Sequence, residues 1–302
     1  MSVYEHLPSY YRVPEGHTYT VQEAQVYTQR LARSHYENFT VVSWFLPRRL
    51  RRHMFNVYAY CRWSDDLGDE VPDRDEALTA LAWWRGELDA CYAGEARHPV
   101  FVALADTIRE FDVPAAPFHH LLDAFEQDQR VRRYQTFDDV LDYCTRSANP
   151  VGRLVLYLFG HRDAERQRLS DCTCTALQLA NFWQDVTVDW EKGRAYLPLD
   201  DIRRFGVAEE QIPERRFTPQ FGDLMRLEVT RARRLFDEGS RLAALAQPTL
   251  RRDIRLFTDG GLAILDAIEA NGFDVLTTRP VVTTGKKVAL MLRRVAGQLQ
   301  SA

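Results

Sequence analysis

The chain has 302 residues, of which 45% are hydrophobic and 27% charged, and its formal net charge is −4. This balance excludes a wholly disordered chain and supplies enough apolar residues for a large buried core. The lack of a strongly basic composition argues against a nucleic-acid partner.

Helical periodicity dominates the sequence, with turn residues between the periodic segments. We predict helices, in chain order, at residues 21–34, 48–69, 75–92, 99–111, 117–134, 137–145, 151–160, 170–192, 223–246 and 251–271. Residues 193–222 and 272–285 are predicted to be irregular. Because no alternating strand pattern, repeat or linker is present, we predict one all-α domain over residues 1–302.

Residues 1–19 show no basic segment followed by an apolar one, so we expect no signal peptide. No apolar run approaches the ~20 residues that a spanning helix needs. The five cysteines fit no disulfide or zinc spacing, as in a reducing compartment. We therefore expect a cytoplasmic protein. Residues 286–299, which are basic and apolar, suggest a peripheral contact with the inner face of a membrane. The alternative is a final helix that packs on the bundle with its basic residues outward.

The first acidic cluster lies at the C-terminal end of the predicted helix 48–69. A stripe of apolar residues on this helix continues into Asp65 and Asp69, with Arg62 and Asp66 beside it. Buried carboxylates are costly unless they are paired or bound to a cation. The pattern therefore indicates a carboxylate site, and the alternative is an exposed helix end that leads into the acidic residues 70–76.

The second cluster lies in the predicted helix 170–192 and forms a polar stripe between bulky apolar neighbours. Its members are Gln178, Asn181, Asp185, Asp189 and Lys192. Asp185 and Asp189 are separated by about 6 Å along the helix axis, and Asn181 lies one turn earlier. This arrangement is typical of a cavity lining in which three oxygen ligands converge.

Oxygen ligands suit Mg²⁺, with Mn²⁺ as an alternative, rather than zinc. Mg²⁺ bound by few carboxylates keeps water and bridges to substrate phosphates. Arg62, Lys192 and Arg194 stand near the clusters in sequence and are able to hold a diphosphate. The chemistry indicated is the metal-assisted loss of diphosphate, which leaves a carbocation among aromatic side chains.

The two clusters resemble the aspartate-rich motifs of the squalene/phytoene synthase family. The sequence C-R-W-S-D-D-L-G-D at 61–69 resembles the first motif, and Q-L-A-N-F-W-Q-D-V-T-V-D at 178–189 resembles the second. G-R-A-Y-L-P at 193–198 stands where the family has a basic-x-Tyr-Leu-Pro segment. The resemblance implies an all-α class I isoprenoid (terpenoid) synthase fold, a helical bundle around a central cavity.

The resemblance also implies residue roles. Asp65 and Asp69 bind Mg²⁺ and diphosphate from one helix, and Asn181, Asp185 and Asp189 do so from another. Tyr36 and Asn38 join the four aspartates as catalytic candidates. The substrate-binding candidates are His35, Phe39, Arg62, Asp66, Thr145, Arg146, Gln178, Gln184, Lys192, Arg194 and Tyr196.

The chain departs from the family pattern at three places. His35-Tyr36-Glu37-Asn38-Phe39 replaces a Ser-x-Ser-Phe segment, Gln184 replaces an arginine, and Thr145 replaces a tyrosine. In the family these groups are thought to handle the condensation of two farnesyl diphosphates. The combination resembles bacterial hydroxysqualene synthases of hopanoid biosynthesis, which implies presqualene diphosphate as substrate and no NADPH.

That resemblance implies partner enzymes that supply presqualene diphosphate and reduce hydroxysqualene. Two other hypotheses remain open. One is a synthase that condenses two prenyl diphosphates to presqualene diphosphate, squalene or a phytoene-type product. The other is a non-catalytic protein that binds prenyl diphosphates or scaffolds other enzymes.

Overall fold

The computed structural model describes residue 7 and residues 11–14, 16–34 and 47–282. Its helices are α1 Val21–Ser34, α2 Arg48–Asp69, α3 Arg74–Tyr92, α4 Pro99–Phe111, α5 Ala116–Asp128, α6 Phe137–Ser147, α7 Asn149–Leu158, α8 Ala164–Gln184, α9 Val186–Glu191, α10 Leu199–Arg204, α11 Pro219–Ser240, α12 Leu242–Leu245 and α13 Pro248–Ala270. A 3₁₀ turn at Glu209–Gln211 separates α10 from α11. The predicted all-α class is confirmed.

The described residues form two compact units. Unit 1 contains the described residues up to Arg130 together with Pro150–Arg162, and unit 2 contains Val131–Asn149 and the described residues from Asp163 onward. Each unit therefore draws on two separate stretches of the chain. The single domain over residues 1–302 stays a prediction.

Unit 1 is built around α2. Helices α1, α3, α4 and α5 all pack against it. The core is aromatic, because the Trp63 and Trp84 rings stack with centroids 4.9 Å apart, and Tyr60 lies beside Trp84. The Asp73 carboxylate accepts the backbone N–H groups of residues 75 and 76 and so begins α3. These contacts hold α2, which carries the first aspartate-rich motif.

Unit 2 is built around α8, against which α6, α11 and α13 pack. The Asp163 carboxylate caps the helix by accepting the Arg166 backbone N–H at 3.0 Å. Helix α11 approaches closely at Gly239, where a Cβ would lie 2.8 Å from the Thr173 backbone nitrogen. This close crossing holds α8, which carries most of the second aspartate-rich motif.

A short extended pairing in unit 2 holds the segment after α9. The Ala195 N–H donates to the Arg132 carbonyl and the Leu199 N–H donates to the Tyr134 carbonyl, each at 3.0 Å. Residues 133 and 195 form an isolated parallel bridge, and the described residues contain no strand. The pairing fixes the position of Tyr196, which lies between the two bonds.

The helices predicted at 21–34, 48–69 and 99–111 have the observed bounds. The helix predicted at 117–134 is wrong at its end, because residues 131–134 belong to the extended pairing. The helix predicted at 170–192 begins earlier and is interrupted at Asp185. The segment 193–222, predicted to be irregular, contains α10, the 3₁₀ turn and the start of α11.

None of the helices in the described ranges is long and apolar enough to cross a membrane. The basic segment 286–299 lies outside the described residues.

Candidate active site

The first aspartate-rich motif ends α2, and its aspartates lie in different environments. Asp66 is buried at 1% exposure, Asp65 is half-buried, and Asp69 is exposed. The Asp66 carboxylate accepts hydrogen bonds from Arg62 Nε at 3.0 Å, from Arg62 Nη2 and from the Tyr11 hydroxyl. The carboxylates of this motif that reach solvent are therefore those of Asp65 and Asp69.

Arg62 joins the buried and the half-buried carboxylates. Its Nη1 lies 3.3 Å from Asp65 Oδ2, while its other nitrogens bind Asp66. Burial disfavours the charge on Arg62, but the fields of Asp66 and Asp65 outweigh this effect and raise its pKa. The guanidinium thus compensates the buried charge of Asp66 and stands beside Asp65.

The second motif runs through the junction of α8 and α9. The backbone leaves regular helix at Asp185, with φ −107° and ψ 19°. The ladder nevertheless continues, because the Asp185 N–H donates to the Asn181 carbonyl at 2.9 Å and the Asp189 N–H donates to the Asp185 carbonyl at 2.8 Å. Asn181, Asp185 and Asp189 therefore keep the one-turn spacing that the sequence predicts.

A guanidinium from the segment after α13 covers Asp185. Arg279 Nε donates to Asp185 Oδ1, and Arg279 Nη2 lies 3.5 Å from Gln184 Oε1. Gln184 Nε2 in turn donates to the Pro280 carbonyl at 2.6 Å. The hydrogen bond to Asp185 raises the pKa of Arg279 against the opposing effect of burial. The Asp185 carboxylate is thus already the partner of a cation.

Sequence reasoning missed Arg279, which lies 94 residues after Asp185. The sequence shows only an arginine in the predicted irregular segment 272–285. Nothing in that segment indicates that this arginine pairs with Asp185.

A pocket in unit 2 places Asp189 beside aromatic rings. Its lining consists of Phe182, Val186, Asp189, Ala195, Tyr196, Leu197 and Ile212. The Phe182 and Tyr196 rings stack with centroids 3.6 Å apart and an angle of 8° between their planes. Asp189 therefore lies beside a buried pair of stacked aromatic rings.

Two further arginines, which the sequence analysis also missed, hold the turn after α9. Arg133 Nη1 donates to the Gly193 carbonyl at 3.2 Å, and its guanidinium lies 4.2 Å from the centre of the Trp190 ring. Arg132 Nη1 lies 3.5 Å from the Lys192 carbonyl. Gly193 has φ +79°, which a residue with a side chain rarely adopts. The turn displays Lys192 as an exposed and Arg194 as a half-buried side chain.

The remaining predicted site residues are distributed as follows. Gln178 is half-buried on α8. On α6, the Thr145 hydroxyl donates to the Asp142 carbonyl at 2.6 Å, and Arg146 Nη1 donates to the Asp142 carboxylate at 3.1 Å. His35, Tyr36, Asn38 and Phe39 lie outside the described residues.

A separate group in unit 1 brings metal-type ligands together within the described ranges. One ligand atom each from His53, Asp106 and Glu110 lies within 4.8 Å of the others. Arg52 Nε donates to His53 Nε2 at 2.9 Å, and Arg52 Nη2 lies 2.9 Å from Glu110. Because a guanidinium already bridges this histidine and this glutamate, the group is stabilised without a metal ion.

Comparison with known proteins places the fold. The family model described as Squalene/phytoene synthase matches residues 32–286. The chain is 30% identical over 285 residues to the 15-cis-phytoene synthase of Synechocystis sp., covering 89% of this chain and 83% of the relative. It is 29% identical over 265 residues to the phytoene synthase of Arthrospira platensis, covering 83% and 86%.

Comparison with solved structures gives the same result as comparison with sequences. The crystal structure of squalene synthase HpnC from Alicyclobacillus acidocaldarius is 48% identical, with a TM-score of 0.81, and the match covers 84% of this chain and 95% of that one. A dehydrosqualene synthase in complex with a ligand is 26% identical, with a TM-score of 0.82 and coverage of 93% and 98%. These neighbours have the class I terpenoid synthase fold. The chain therefore belongs to the squalene/phytoene synthase family.

Proposed function

We propose that the protein converts presqualene diphosphate and water to hydroxysqualene and diphosphate, a step toward squalene and hopanoids. The 48% identity to squalene synthase HpnC, against about 30% to the phytoene synthases, supports a squalene-type enzyme. The replacements at residues 35–39, 145 and 184, which resemble those of hydroxysqualene synthases, support this reaction over condensation. The family and the structural neighbours are prenyltransferase-like enzymes that act on prenyl diphosphates and are typically metal-dependent.

In the proposed reaction the C–O bond to diphosphate breaks heterolytically, and diphosphate leaves with the electron pair. The cyclopropylcarbinyl cation rearranges, a water oxygen bonds to the resulting cation, and a proton is released. No hydride is transferred, so NADPH is not expected. The proposed location is cytoplasmic.

The oxygen donors fit Mg²⁺, with Mn²⁺ as an alternative. On α2 the proposed metal ligands are Asp65 and Asp69, and at the α8–α9 junction they are Asn181, Asp185 and Asp189. Asp185 pairs with Arg279, so a metal ion bound at this carboxylate would share it with the guanidinium or replace the guanidinium. When bound, Mg²⁺ neutralises the charge that develops on the leaving diphosphate.

The chain's own residues have distinct proposed tasks. Arg62, Lys192 and Arg194 bind diphosphate oxygens, since guanidinium and ammonium donors form strong charge-assisted hydrogen bonds with them. The stacked rings of Phe182 and Tyr196 exclude bulk water beside Asp189 and present their faces to positive charge. The other candidates for binding the substrate or delivering water are His35, Tyr36, Asn38, Phe39, Thr145, Arg146, Gln178 and Gln184. Asp66 is buried and paired with Arg62 and Tyr11, so it would contribute to substrate binding through Arg62.

Incubation with Mg²⁺ and presqualene diphosphate, with products read by mass spectrometry, tests the proposal. We expect hydroxysqualene that gains a heavy oxygen atom when the reaction runs in ¹⁸O-water. A parallel incubation supplies farnesyl diphosphate alone. Consumption of farnesyl diphosphate without a partner enzyme would overturn the assignment.

A condensing synthase is the second candidate, and the phytoene synthase relatives favour it. A product from farnesyl or geranylgeranyl diphosphate alone would establish this candidate. A non-catalytic binding or scaffold protein is the third. If Asp65→Asn combined with Asp185→Asn changed neither metal binding nor function, the scaffold would be favoured.

Peripheral membrane contact and exchange with pathway enzymes are part of the same proposal. An apolar isoprenoid substrate resides in bilayers, and the sequence 286–299 combines basic with apolar residues. We expect the full chain to co-sediment with anionic liposomes more strongly than a variant without residues 286–302. Equal co-sedimentation of the full chain and the truncated variant would contradict the proposed membrane contact.

A further inference from the structure

The buried carboxylate of Asp66 has donors from two different parts of the chain. Arg62 Nε donates to Asp66 Oδ2 at 3.0 Å and Arg62 Nη2 donates to Oδ1, so the guanidinium and the carboxylate form a two-pronged pair. The Tyr11 hydroxyl donates to the same Oδ2 atom from 55 residues earlier. Such a pair fixes the plane of the guanidinium as well as its position.

Tyr11 is part of the buried core of unit 1. The residue is 0% exposed, and its ring meets Trp63 edge to face with centroids 4.6 Å apart. The Tyr27 hydroxyl donates to the Tyr11 carbonyl at 3.2 Å, which holds the backbone. Tyr11 also lies before residues 32–286, the range that matches the family model.

We infer that Tyr11 is a positioning residue for diphosphate binding: its hydroxyl fixes Asp66, and Asp66 fixes the guanidinium of Arg62. The consequence lies at the third guanidinium nitrogen. Because Nε and Nη2 are engaged by Asp66, Nη1 is held toward Asp65, at 3.3 Å from its carboxylate. A diphosphate held at Asp65, with or without a metal ion, would therefore meet an oriented donor. This inference rests on the proposed function only in that Arg62 binds a diphosphate.

The test measures the binding of Mg²⁺ and inorganic pyrophosphate by calorimetry, which needs no substrate turnover. Tyr11→Phe keeps the ring against Trp63 and removes the hydroxyl. We expect it to weaken the affinity for pyrophosphate by up to about tenfold, because only the part of the lost hydrogen-bond energy that keeps Arg62 oriented affects the ligand. In an Arg62→Ala background the same change is expected to alter the affinity less than twofold, because Tyr11 acts through Arg62.

Tyr60→Phe is the matched control. Tyr60 is also 0% exposed, and its hydroxyl donates to the Phe118 carbonyl at 2.8 Å, so this variant loses a comparable buried hydrogen bond on α2 itself. Its melting temperature is expected to fall, with no change in pyrophosphate affinity.

Equal affinities of the wild type and Tyr11→Phe would overturn the inference, as would a wild type that binds no Mg²⁺ and pyrophosphate. Equal losses from Tyr11→Phe in both backgrounds would also overturn it. A wild type that binds pyrophosphate but leaves presqualene diphosphate unchanged would contradict the proposed reaction alone.

Discussion

The aspartates of α2 show what residue spacing predicts and what it cannot. Periodicity places Arg62, Asp65 and Asp66 near one another, since side chains three and four residues apart are neighbours on a helix, and Arg62 does lie beside both carboxylates. Spacing does not separate the buried Asp66 from the solvent-reaching Asp65 and Asp69. That difference depends on Tyr11, which contacts Asp66 from 55 residues earlier in the chain. A local sequence pattern cannot predict such a contact.

At the residue scale, Asp185→Asn is expected to lower turnover at least a hundredfold with little loss of stability. The substitution removes a proposed metal ligand. It also breaks a partly exposed ion pair with Arg279, and such pairs contribute about 1 kcal/mol or less. Steady-state kinetics and a thermal melt followed by circular dichroism measure the two effects.

The control for that prediction is Asp223→Asn, which breaks an exposed pair with Arg226 on α11. It is expected to leave both turnover and the melt near the wild-type values. A collapsed fold in Asp185→Asn alone would contradict the prediction, because it would make Asp185 a structural residue.

At the scale of elements, strong amphipathic periodicity predicts the bounds of α1, α2 and α4. The prediction fails where a tertiary partner replaces helix hydrogen bonds. Residues 131–134 continue a helical pattern in sequence, yet the carbonyls of Arg132 and Tyr134 accept the N–H groups of Ala195 and Leu199. The start of α8 is missed because its first turns carry charged residues, and the Asp163 cap has no apolar stripe beside it.

The crossing of α8 and α11 provides a prediction at this scale. Gly239→Ala places a methyl group 2.8 Å from the Thr173 backbone nitrogen and 3.1 Å from the Leu169 carbonyl oxygen. Because backbone atoms cannot rotate away, we expect a loss of about 1–3 kcal/mol in the free energy of unfolding. Urea denaturation measures this loss.

Gly86→Ala in α3 is the matched helical control. No heavy atom lies within 4 Å of the position its Cβ would take, so the change is expected to stabilise the protein by up to about 1 kcal/mol. Destabilisation by both substitutions alike would show that helix geometry, rather than the crossing, determines the outcome at Gly239.

For the whole molecule, composition and periodicity predict the all-α class and the resemblance implies the family. The contacts that join distant segments remain beyond that reasoning, because they depend on three-dimensional packing. Arg279 beside Asp185 and Tyr11 beside Asp66 are both of this kind.

Buried ionisable groups give the whole molecule a predicted pH dependence. Burial raises the pKa of Glu228 from 4.5 to about 8, with Asp201 adding to the effect and Arg231 opposing it. Between these values the unfolded chain releases a proton that the folded chain keeps, so Glu228 makes stability fall as the pH rises from about 4.5 to about 8.

Glu228→Gln retains the acceptor for Arg231, which lies 2.8 Å from Oε1. We expect the variant to exceed the wild type by roughly 1–3 kcal/mol at pH 8 and to match it near pH 4.5. Urea melts at both pH values check the prediction. An unchanged difference between the two pH values would refute the link to Glu228 ionisation.

The chain runs from unit 1 into unit 2, returns to unit 1 and then completes unit 2, and this order affects folding during synthesis. Unit 1 needs Pro150–Arg162, which follow a stretch that belongs to unit 2. A nascent chain on the ribosome therefore cannot complete its first unit until residue 162 has emerged. Until then unit 1 is incomplete, and apolar surface that Pro150–Arg162 will help to bury is available to chaperones.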